Sequence, residues 1–357
     1  MTGSCPGLFL SEIQQHISRS PSANGTSSVK KFKILSAAIL LLWPCLLLAQ
    51  EAALTKASFI PQWVPQAQFA GYYVAYELGF YARHGIDLTL IPGGPDRPAS
   101  ELLKTGKADL ATMWLSTAIQ ERAAGVKLVN IAQMVQKSAL LLVAKKSRGI
   151  KTLQDIDGKK VGLWGAEFRI QPLALFAKYH LNMQIIPQTY SVNLLLRDGV
   201  DVASAMWYNE YHTLLNAGLN PDELTTFFFH DYGLNFPEDG IYVMEKTLRE
   251  KPGLACAFVE ASIEGWRYAF DHQDLALDVI IEYLSREHLP ANRMHQRWML
   301  QRMQDVMVLP DNPNSMGCLS QNDYQSVADL LKAYQLIETI PDFHSFYQEC
   351  TCGHEEK

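Results

Sequence analysis

Apolar and polar residues alternate in blocks that predict strands and helices in turn along the first part of the chain. Strand-like runs at residues 58–61 and 86–91 flank a helical pattern at residues 70–84, which closes at Gly85. A strand, a helix and a second strand in this order form a βαβ unit. Helices are also predicted at residues 98–104 and 116–124, and strands at residues 108–111, 126–133 and 139–144. This alternation is typical of an α/β fold, whose ligands bind at the carboxyl ends of the strands.

A second α/β unit follows the charged break at residues 145–149. A short capped helix at residues 152–156 and a strand at residues 160–164 begin it, and apolar runs at residues 202–206 and 227–229 continue it. After a last strand at residues 241–244, the periodicity is helical over residues 254–284 and 321–337. The pattern predicts two lobes, each a mixed sheet flanked by helices, with the ligand cleft between them.

The predicted boundaries follow from these elements. Lobe 1 takes residues 58–144 and returns over residues 241–347 with the C-terminal helices, lobe 2 takes residues 145–240, and residues 348–357 form a tail. Two crossing strands near Ala144 and Ile241 join the lobes. Lobe closure about these crossings is expected to accompany binding.

Residues 1–49 have the layout of a leader. A basic patch at residues 30–33 precedes a mostly apolar run at residues 34–48, which is short for a membrane span and typical of a secretory signal peptide. Cleavage after Ala49 would deliver a periplasmic protein. An uncleaved membrane anchor is the alternative. A lipid anchor on Cys45 is disfavoured by the bulky Trp43 and Pro44 before it, and the long polar stretch at residues 1–28 is also consistent with a later translation start.

Composition narrows the range of partners. With 357 residues, 48% of them hydrophobic and 19% charged, the chain can bury a large core in two compact units. The net charge of -6 lacks the basic surplus that nucleic-acid backbones require. A small neutral ligand or a protein partner fits this charge better than nucleic acid does.

The six cysteines do not have the density of a disulfide scaffold. Cys5 and Cys45 would be lost with the leader, and Cys256 lies in an apolar helical pattern that favours a buried free thiol. Three readings remain for the tail with Cys350, Cys352 and His354: a soft-metal site, which would lack a second ligand pair, a disulfide that includes Cys318, or a disordered end. The disordered end is the simplest of the three.

The candidate chemistry is that of binding. The chain has no nucleophile elbow, phosphate-binding loop, zinc-protease motif or C-x-x-C pair. Aromatic residues instead stand at strand ends and turns, where rings can sandwich a flat ligand. A glycine loop at residues 165–171 can offer helix-start amides, and Glu210 can accept a hydrogen bond from a ring amine. The predicted ligand-binding residues are Trp63, Phe69, Trp114, Gly165, Glu167, Phe168, Arg169, Trp207, Tyr208, Asn209 and Glu210.

Several short motifs occur in an order that resembles a known family. They are W-x-P at residues 63–65, G-F-Y at 79–81, G-I-D-L at 85–88, G-K-A-D at 106–109, G-K-K-V-G at 158–162 and E-F-x-I-Q at 167–171. Together they resemble the thiamine pyrimidine synthase and formylaminopyrimidine-binding family, which has the type II periplasmic binding-protein fold. The resemblance covers roughly residues 59–347. It implies that Trp63 stacks on a ring and that the glycine loop and residues 209–210 contact the ligand.

The family has two branches, and the resemblance separates them at a few positions. In the synthase branch, which makes the thiamine pyrimidine from pyridoxal phosphate and one of its own histidines with iron, a lysine aligns with Met113 and the consumed histidine with Thr117. The synthase's clustered cysteines align with residues 235–239, which contain none. A Schiff base needs an amine, so the synthase chemistry is not expected here.

The sequence therefore predicts an exported substrate-binding protein that gives a small heterocycle, such as a thiamine-pyrimidine precursor, to an ABC transporter permease. No cofactor, no metal and no nucleic acid is expected. One alternative is a divergent synthase that acts in the cytoplasm with pyridoxal phosphate and iron. Another is a sensor or interaction domain tethered to the membrane by residues 34–48.

Overall fold

The computed structural model describes residues 53–350, without the side chains of Ala166 and Glu167. The leader predicted at residues 1–49, and the tail residues Cys352 and His354, lie outside the described residues. The described chain forms two five-stranded sheets, each mixed and each flanked by helices. The predicted two-lobed α/β architecture is confirmed.

The first sheet belongs to lobe 1. Its strands stand in the order β2-β1-β3-β10-β4, with β1 parallel to β2 and β3, and β10 antiparallel to β3 and β4. The strands are β1 (Thr55–Ile60), β2 (Ile86–Leu90), β3 (Leu110–Trp114), β4 (Leu128–Gln133) and β10 (Asp239–Met244). The helices between the first four strands are α1 (Ala70–Glu77), α2 (Phe80–Arg83), α3 (Ala99–Lys104) and α4 (Leu115–Ala123). Parallel strands joined by helices place the following loops at one edge of the sheet.

The second sheet belongs to lobe 2 and repeats this arrangement. Its order is β7-β6-β8-β5-β9, with β6 parallel to β7 and β8, and β5 antiparallel to β8 and β9. The strands are β5 (Leu140–Lys145), β6 (Lys160–Leu163), β7 (Gln184–Pro187), β8 (Val202–Met206) and β9 (Leu224–Phe228). The helices are α5 (Ile170–Lys178), α6 (Asn193–Leu196) and α7 (Glu210–Asn216). In each sheet, the strand that arrives after a crossing runs antiparallel to its neighbours.

The two crossings lie earlier in the chain than the positions expected near Ala144 and Ile241. Residues 134–139 connect β4 to β5, and residues 229–238 connect β9 to β10. Ala144 lies within the second sheet, paired with Val202, and Ile241 lies within the first, paired with Thr112. An apolar run does not show which sheet a strand will join. The sequence pattern therefore placed the two crossings within β5 and β10, the strands that follow them in the structure.

The C-terminal helices cover lobe 1. They are α8 (Glu245–Glu250), α9 (Leu254–Asp271), α10 (Gln273–Arg286), α11 (Arg293–Met307), α12 (Gln321–Ala333) and α13 (Phe343–Phe346). Helix α9 packs closely on α1, because a Cβ atom at Gly71 would lie 2.2 Å from Cγ of Trp266 and one at Gly265 would lie 2.3 Å from the Gly71 carbonyl oxygen. Glycine at both positions lets the two backbones approach.

Two expectations about the core elements are corrected. The helix predicted at residues 70–84 is divided in two by Gly79, which has a φ of 70° in the left-handed region. Cys256 is not a free thiol, because it forms a disulfide with Cys350 across a sequence separation of 94. This bond fastens the end of the described chain to α9. Cys318 is also disulfide-bonded.

Within residues 53–350, the helices are all too short or too polar to cross a lipid bilayer.

Candidate functional site

A cavity of about 540 Å³ lies between the two lobes, at the ends of their sheets. Its lobe 1 wall comes from the loop after β1, the loop after β2 and the β3–α4 junction, and its lobe 2 wall from the loops after β6, β7 and β8. Ligands bind where loops leave the carboxyl ends of strands in such folds. The lining residues are Gln62, Trp63, Gln66, Gln68, Gly94, Pro95, Pro98, Ala99, Ser100, Met113, Trp114, Thr117, Trp164, Phe168, Tyr190, Met206, Tyr208, Asn209 and Glu210.

Aromatic side chains from both lobes meet at this cavity. The rings of Trp63 in lobe 1 and Tyr190 in lobe 2 have centroids 5.3 Å apart at an interplanar angle of 58°. Phe168 of lobe 2 stands edge-on to Trp114 of lobe 1, with centroids 4.7 Å apart, and also to Trp164, at 5.7 Å. Such distances and tilted geometries are favourable for ring pairs. Two aromatic contacts therefore bridge the lobes, so the structure shows the lobes closed on each other.

Among the described side chains of the lining, Glu210 supplies the one carboxyl group. The residue is 8% exposed, and its Oε2 accepts a hydrogen bond from the Met206 backbone N–H at 3.0 Å while its Oε1 accepts one from Asn209 Nδ2 at 2.9 Å. Burial raises the pKa of Glu210 to about 7. Helix α7 begins at this residue, so its carboxyl group stays next to Asn209 at the cavity wall.

Three glutamines line the lobe 1 wall and are held in order by a buried acid. Gln62 and Gln68 both donate their Nε2 groups to the carboxyl group of Asp239, Gln68 at 2.8 Å, and Gln66 Nε2 donates to Gln68 Oε1 at 2.7 Å. Burial raises the pKa of Asp239. Gln62 and Gln66 each use one amide N–H in this way and keep the other N–H and the amide oxygen. The wall can therefore both accept from and donate to a ligand.

A glycine shapes the rim of the cavity on the lobe 1 side. A Cβ atom at Gly93 would lie 2.0 Å from the carbonyl oxygen of Pro61 and 2.5 Å from that of Trp63. Only glycine allows the loop after β2 to approach the loop after β1 this closely. The contact sets the position of Trp63 and places Gly94 and Pro95 in the lining.

The structure brings together six of the eleven predicted site residues. Trp63, Trp114, Phe168, Tyr208, Asn209 and Glu210 all line the cavity. Phe69 is 0% exposed and belongs to the core, and Trp207 packs on Phe228 and under Arg302 instead of facing the cavity. Gly165 and Arg169 flank Phe168 without lining the cavity, and the Glu167 side chain is outside what the structure describes. Adjacent residues such as Trp207 and Tyr208 point to different sides, which the sequence alone did not resolve.

Sequence reasoning missed several residues of the wall. Tyr190 is 65% exposed and comes from a polar loop, so nothing in the pattern distinguished it from a surface tyrosine. Trp164 follows β6 and is not among the predicted site residues, and its Nε1 donates to the Thr189 carbonyl oxygen at 2.9 Å beside Tyr190. The glutamines at 62, 66 and 68 follow a strand end in a polar cluster, and this is a signal that would have indicated them.

The lining does not fit pyridoxal phosphate held as in a synthase. Met113 and Thr117, where the resemblance would place a lysine and a histidine, both line the cavity. Among the described residues that line it there is no lysine, arginine or histidine to bond an aldehyde carbon or pair with a phosphate. Over residues 53–350, no group of three or more histidine, cysteine, aspartate or glutamate side chains is placed to hold a metal ion.

Several named proteins are similar in sequence to this chain, over different shares of its length. A formylaminopyrimidine-binding protein of Halalkalibacterium halodurans is 22% identical over 87% of this chain and 96% of its own length. The riboflavin-binding protein RibY of Chloroflexus aurantiacus is 25% identical over 67% of this chain and 69% of its own. A 4-amino-5-hydroxymethyl-2-methylpyrimidine phosphate synthase of Schizosaccharomyces pombe is 24% identical, but over only 42% of each chain. Similarity to the binding proteins thus extends further along the chain.

Solved structures and a family model complete the comparison. The periplasmic aliphatic sulphonate binding protein SsuA of Escherichia coli superposes with a TM-score of 0.62 at 17% identity, over 82% of this chain and 91% of that one. This likeness establishes the fold, the two-lobed type II periplasmic binding-protein fold. The family model described as NMT1/THI5 like matches residues 66–276, more than half of the chain. The chain therefore belongs to the NMT1/THI5-like family.

Proposed function

We propose that this protein is an exported substrate-binding protein that carries a small nitrogen heterocycle to the permease of an ABC importer. The observation that carries the proposal is the composition of the cavity wall. Aromatic rings from both lobes surround a space of about 540 Å³, and the polar groups among them are amides, hydroxyls and the Glu210 carboxyl group. Flat rings stack on such faces, and their N–H groups find acceptors in the wall.

Charge favours this ligand class over the sulfonates bound by the structural neighbour. The described lining contains no basic side chain, whereas Glu210 is present and Asp239 lies behind the glutamines. A sulfonate or phosphate keeps its negative charge when it leaves water, and it would meet an acid in place of a cation. A neutral or cationic ring with an amino group, such as an aminopyrimidine, fits the same wall.

Three further observations support export and a binding role. The disulfides of Cys256–Cys350 and of Cys318 are typical of proteins that mature in an oxidising compartment. Residues 30–48 have the pattern of a signal peptide. Met113 and Thr117 cannot supply the amine and the imidazole that synthase chemistry would consume.

Isothermal titration of the full chain tests the proposal. The protein is unfolded with its disulfides intact and refolded, which removes any retained small molecule, and then titrated with 4-aminopyrimidine derivatives and with methanesulfonate. We expect binding in the micromolar range or tighter for at least one aminopyrimidine and none for methanesulfonate. Selective binding of the sulfonate would contradict the proposed ligand class. The protein as purified, before unfolding, should show no internal-aldimine absorbance band and contain no iron, and the presence of both would instead favour the enzyme.

A further inference from the structure

Helix α11 contacts both lobes and one of the crossings between them. Gln296 Oε1 accepts a hydrogen bond from the Ala67 backbone N–H of lobe 1 at 2.7 Å. Trp298 Nε1 donates to the Trp207 carbonyl oxygen of lobe 2 at 2.9 Å. At the end of the helix, the Val306 carbonyl oxygen accepts from the Gln136 backbone N–H of the crossing at 2.9 Å. Movement of lobe 2 relative to lobe 1 must therefore change the contacts of α11.

A chain of hydrogen bonds runs from this helix to the cavity. His295 Nε2 lies 2.8 Å from Asn209 Oδ1, and Asn209 Nδ2 donates to Glu210 Oε1 at 2.9 Å. On its other side, His295 Nδ1 lies 2.9 Å from Nδ1 of His212, which belongs to α7 in lobe 2. Two residues of the cavity wall, Asn209 and Glu210, are thus connected to a histidine pair that spans the interface between α11 and lobe 2.

The chemistry of the groups fixes where the protons are. The amide oxygen of Asn209 can only accept, so the proton of His295 is on Nε2. A neutral His295 then has a bare Nδ1, so His212 donates from its own Nδ1 in the hydrogen bond at 2.9 Å, and the same Nδ1 lies 3.3 Å from the side-chain amide of Asn216. One proton fits between these two nitrogens. A first added proton leaves this bond in place, because His212 can take it on Nε2, whereas a second charges both rings and sets two N–H groups against each other.

We propose that His295 is a positioning residue that orients Asn209 at the cavity, and that the His212–His295 pair holds lobe 2 against α11 only while at most one of the two rings is charged. The role of His295 in ligand binding rests on the proposed function. The proton-dependent contact between the two histidines does not need a ligand. Loss of the contact between the two histidines therefore weakens closure of the lobes in acid.

The surroundings of the pair support this direction. Burial, and then the charge of His212, lowers the pKa of His295 to about 4, and burial also lowers the pKa of His212. Within residues 53–350, neither ring has a carboxylate in an ion pair with it. The groups on the elements that pack on α11 are engaged elsewhere. They are Glu210 on α7, bonded to Asn209; Asp274 and Asp278 on α10, paired with Arg293 and Arg297; and Glu260 and Glu264 on α9, paired with His84 and Arg83.

Two cations complete these surroundings. Arg302, on α11 itself, lies over the rings of Trp207 and Trp298 at 4.8 and 4.7 Å, and Lys137 of the crossing bonds through its backbone to Val306 at the far end of the helix. Among the described residues, no carboxylate therefore pairs with the two facing Nδ1 atoms, so nothing there offsets the charge of an added proton. An open form, in which both rings reach water, has the ordinary histidine pKa near ~6.5 and takes up the proton first.

The first experiment uses the ligand-free full chain. We expect small-angle scattering to show lobe opening as the pH falls from ~7.5 to ~5, with the closed-to-open ratio falling on the order of tenfold, and NMR of histidine-labelled protein to show that His295 takes up its proton over the same pH range as the opening. His295→Gln should abolish the pH dependence of the scattering, because the glutamine Nε2 can donate to Asn209 as the imidazole Nε2 does but cannot take up a proton. His344→Gln, at an exposed histidine on α13, is the matched control and should behave as the wild type.

Proton uptake by His295 without lobe opening, or scattering that does not respond to pH, overturns the inference. The second experiment measures affinity for the aminopyrimidine at pH 7.5. His295→Ala should weaken it on the order of tenfold, and His295→Gln should restore most of the loss, because only the glutamine orients Asn209. Equal affinities of His295→Ala and the wild type overturn the positioning role. If the ligand-free response occurs and wild-type protein binds no ring compound, the proposed function alone fails and the proton-dependent contact stands.

Discussion

Trp63 is the side chain at the cavity that joins the rim to the ring-stacking wall. It is fixed by the close approach of Gly93 to its carbonyl oxygen and touches Tyr190 of the opposite lobe. Under the proposed function its ring makes two contacts, one with the ligand and one with Tyr190 of the closed lobe. We therefore expect Trp63 to influence ligand affinity more than the area of its ring in the cavity wall alone would suggest.

We predict that Trp63→Ala weakens binding of the aminopyrimidine by about 1–3 kcal/mol, which is the range for stacking of a base on an aromatic side chain. Trp63→Phe should retain part of the affinity, since a smaller ring still stacks. Titration calorimetry measures both. Tyr76→Ala, at an exposed tyrosine on α1 outside the cavity, provides the control and should bind as the wild type. Unchanged affinity of Trp63→Ala would remove Trp63 from the site.

At the scale of elements, the two crossings are held together by buried polar groups. Asn235 of the second crossing accepts from the Ser138 backbone N–H at 3.0 Å and donates to the Gln136 carbonyl oxygen at 3.0 Å. Glu238 accepts from the backbone N–H groups of Ala139 at 2.5 Å and Leu140 at 3.2 Å. Because these bonds connect the two crossings directly, we expect the crossings to act together as the hinge between the lobes.

Burial, and then the charge of Asp239, raises the pKa of Glu238 to about 8. In the unfolded chain the pKa of a glutamate is ~4.3, so between these values only the folded protein holds the proton. The stability that this group contributes is complete below the unfolded value and is lost as the pH rises through about 8.

Glu238→Gln should therefore be the more stable protein at alkaline pH. The amide oxygen still accepts from Ala139 and Leu140, but there is no charge to bury, so we expect its free energy of unfolding, relative to that of the wild type, to improve by about 2 kcal/mol between pH ~6 and ~9. Denaturant unfolding at both pH values measures it. Glu338→Gln, at an exposed acid, should show no such change. A constant difference between Glu238→Gln and the wild type would mean that Glu238 is ionised in the fold throughout this range.

The sequence predicted most of the strands, but it did not predict α11, the helix that contacts both lobes. The run at residues 202–206 coincides with β8, and the short capped helix predicted at residues 152–156 is a 3-10 turn with a capping box of Thr152 and Asp155. Helix α11 was not predicted, because its buried stripe, with Met299, Leu300 and Met303, is narrow among many polar and charged side chains. A narrow stripe gives weak periodicity.

For the whole molecule, the Cys256–Cys350 disulfide joins the end of the described chain to the central helix of lobe 1. It closes a segment that contains α10 to α13, and with it the helix α11 that contacts both lobes. A cross-link over a separation of 94 residues restricts the unfolded chain strongly.

The double variant Cys256→Ala and Cys350→Ala should lose about 2–4 kcal/mol of unfolding free energy. Denaturant unfolding under oxidising conditions measures this loss. The wild type in reductant should lose at least as much, because Cys318 is disulfide-bonded too. A double variant as stable as the oxidised wild type would show that the cross-link does not contribute to stability.

The sequence by itself determined the class of this protein, because periodicity and turn residues are local. It predicted the alternating elements, the two mixed sheets and a binding cavity with Trp63, Trp114, Phe168 and Glu210 in its wall. It also predicted that Met113 and Thr117 cannot do the chemistry of a synthase, since this depends only on which side chains are present.

Only the tertiary structure decided the contacts between residues far apart in the chain. The strand that each crossing enters, the partner of Cys256, the side to which Trp207 turns and the pairing of His212 with His295 all depend on how elements pack. None of these has a local signature, because a side chain's direction and partner are set by the surrounding fold and not by its neighbours in sequence.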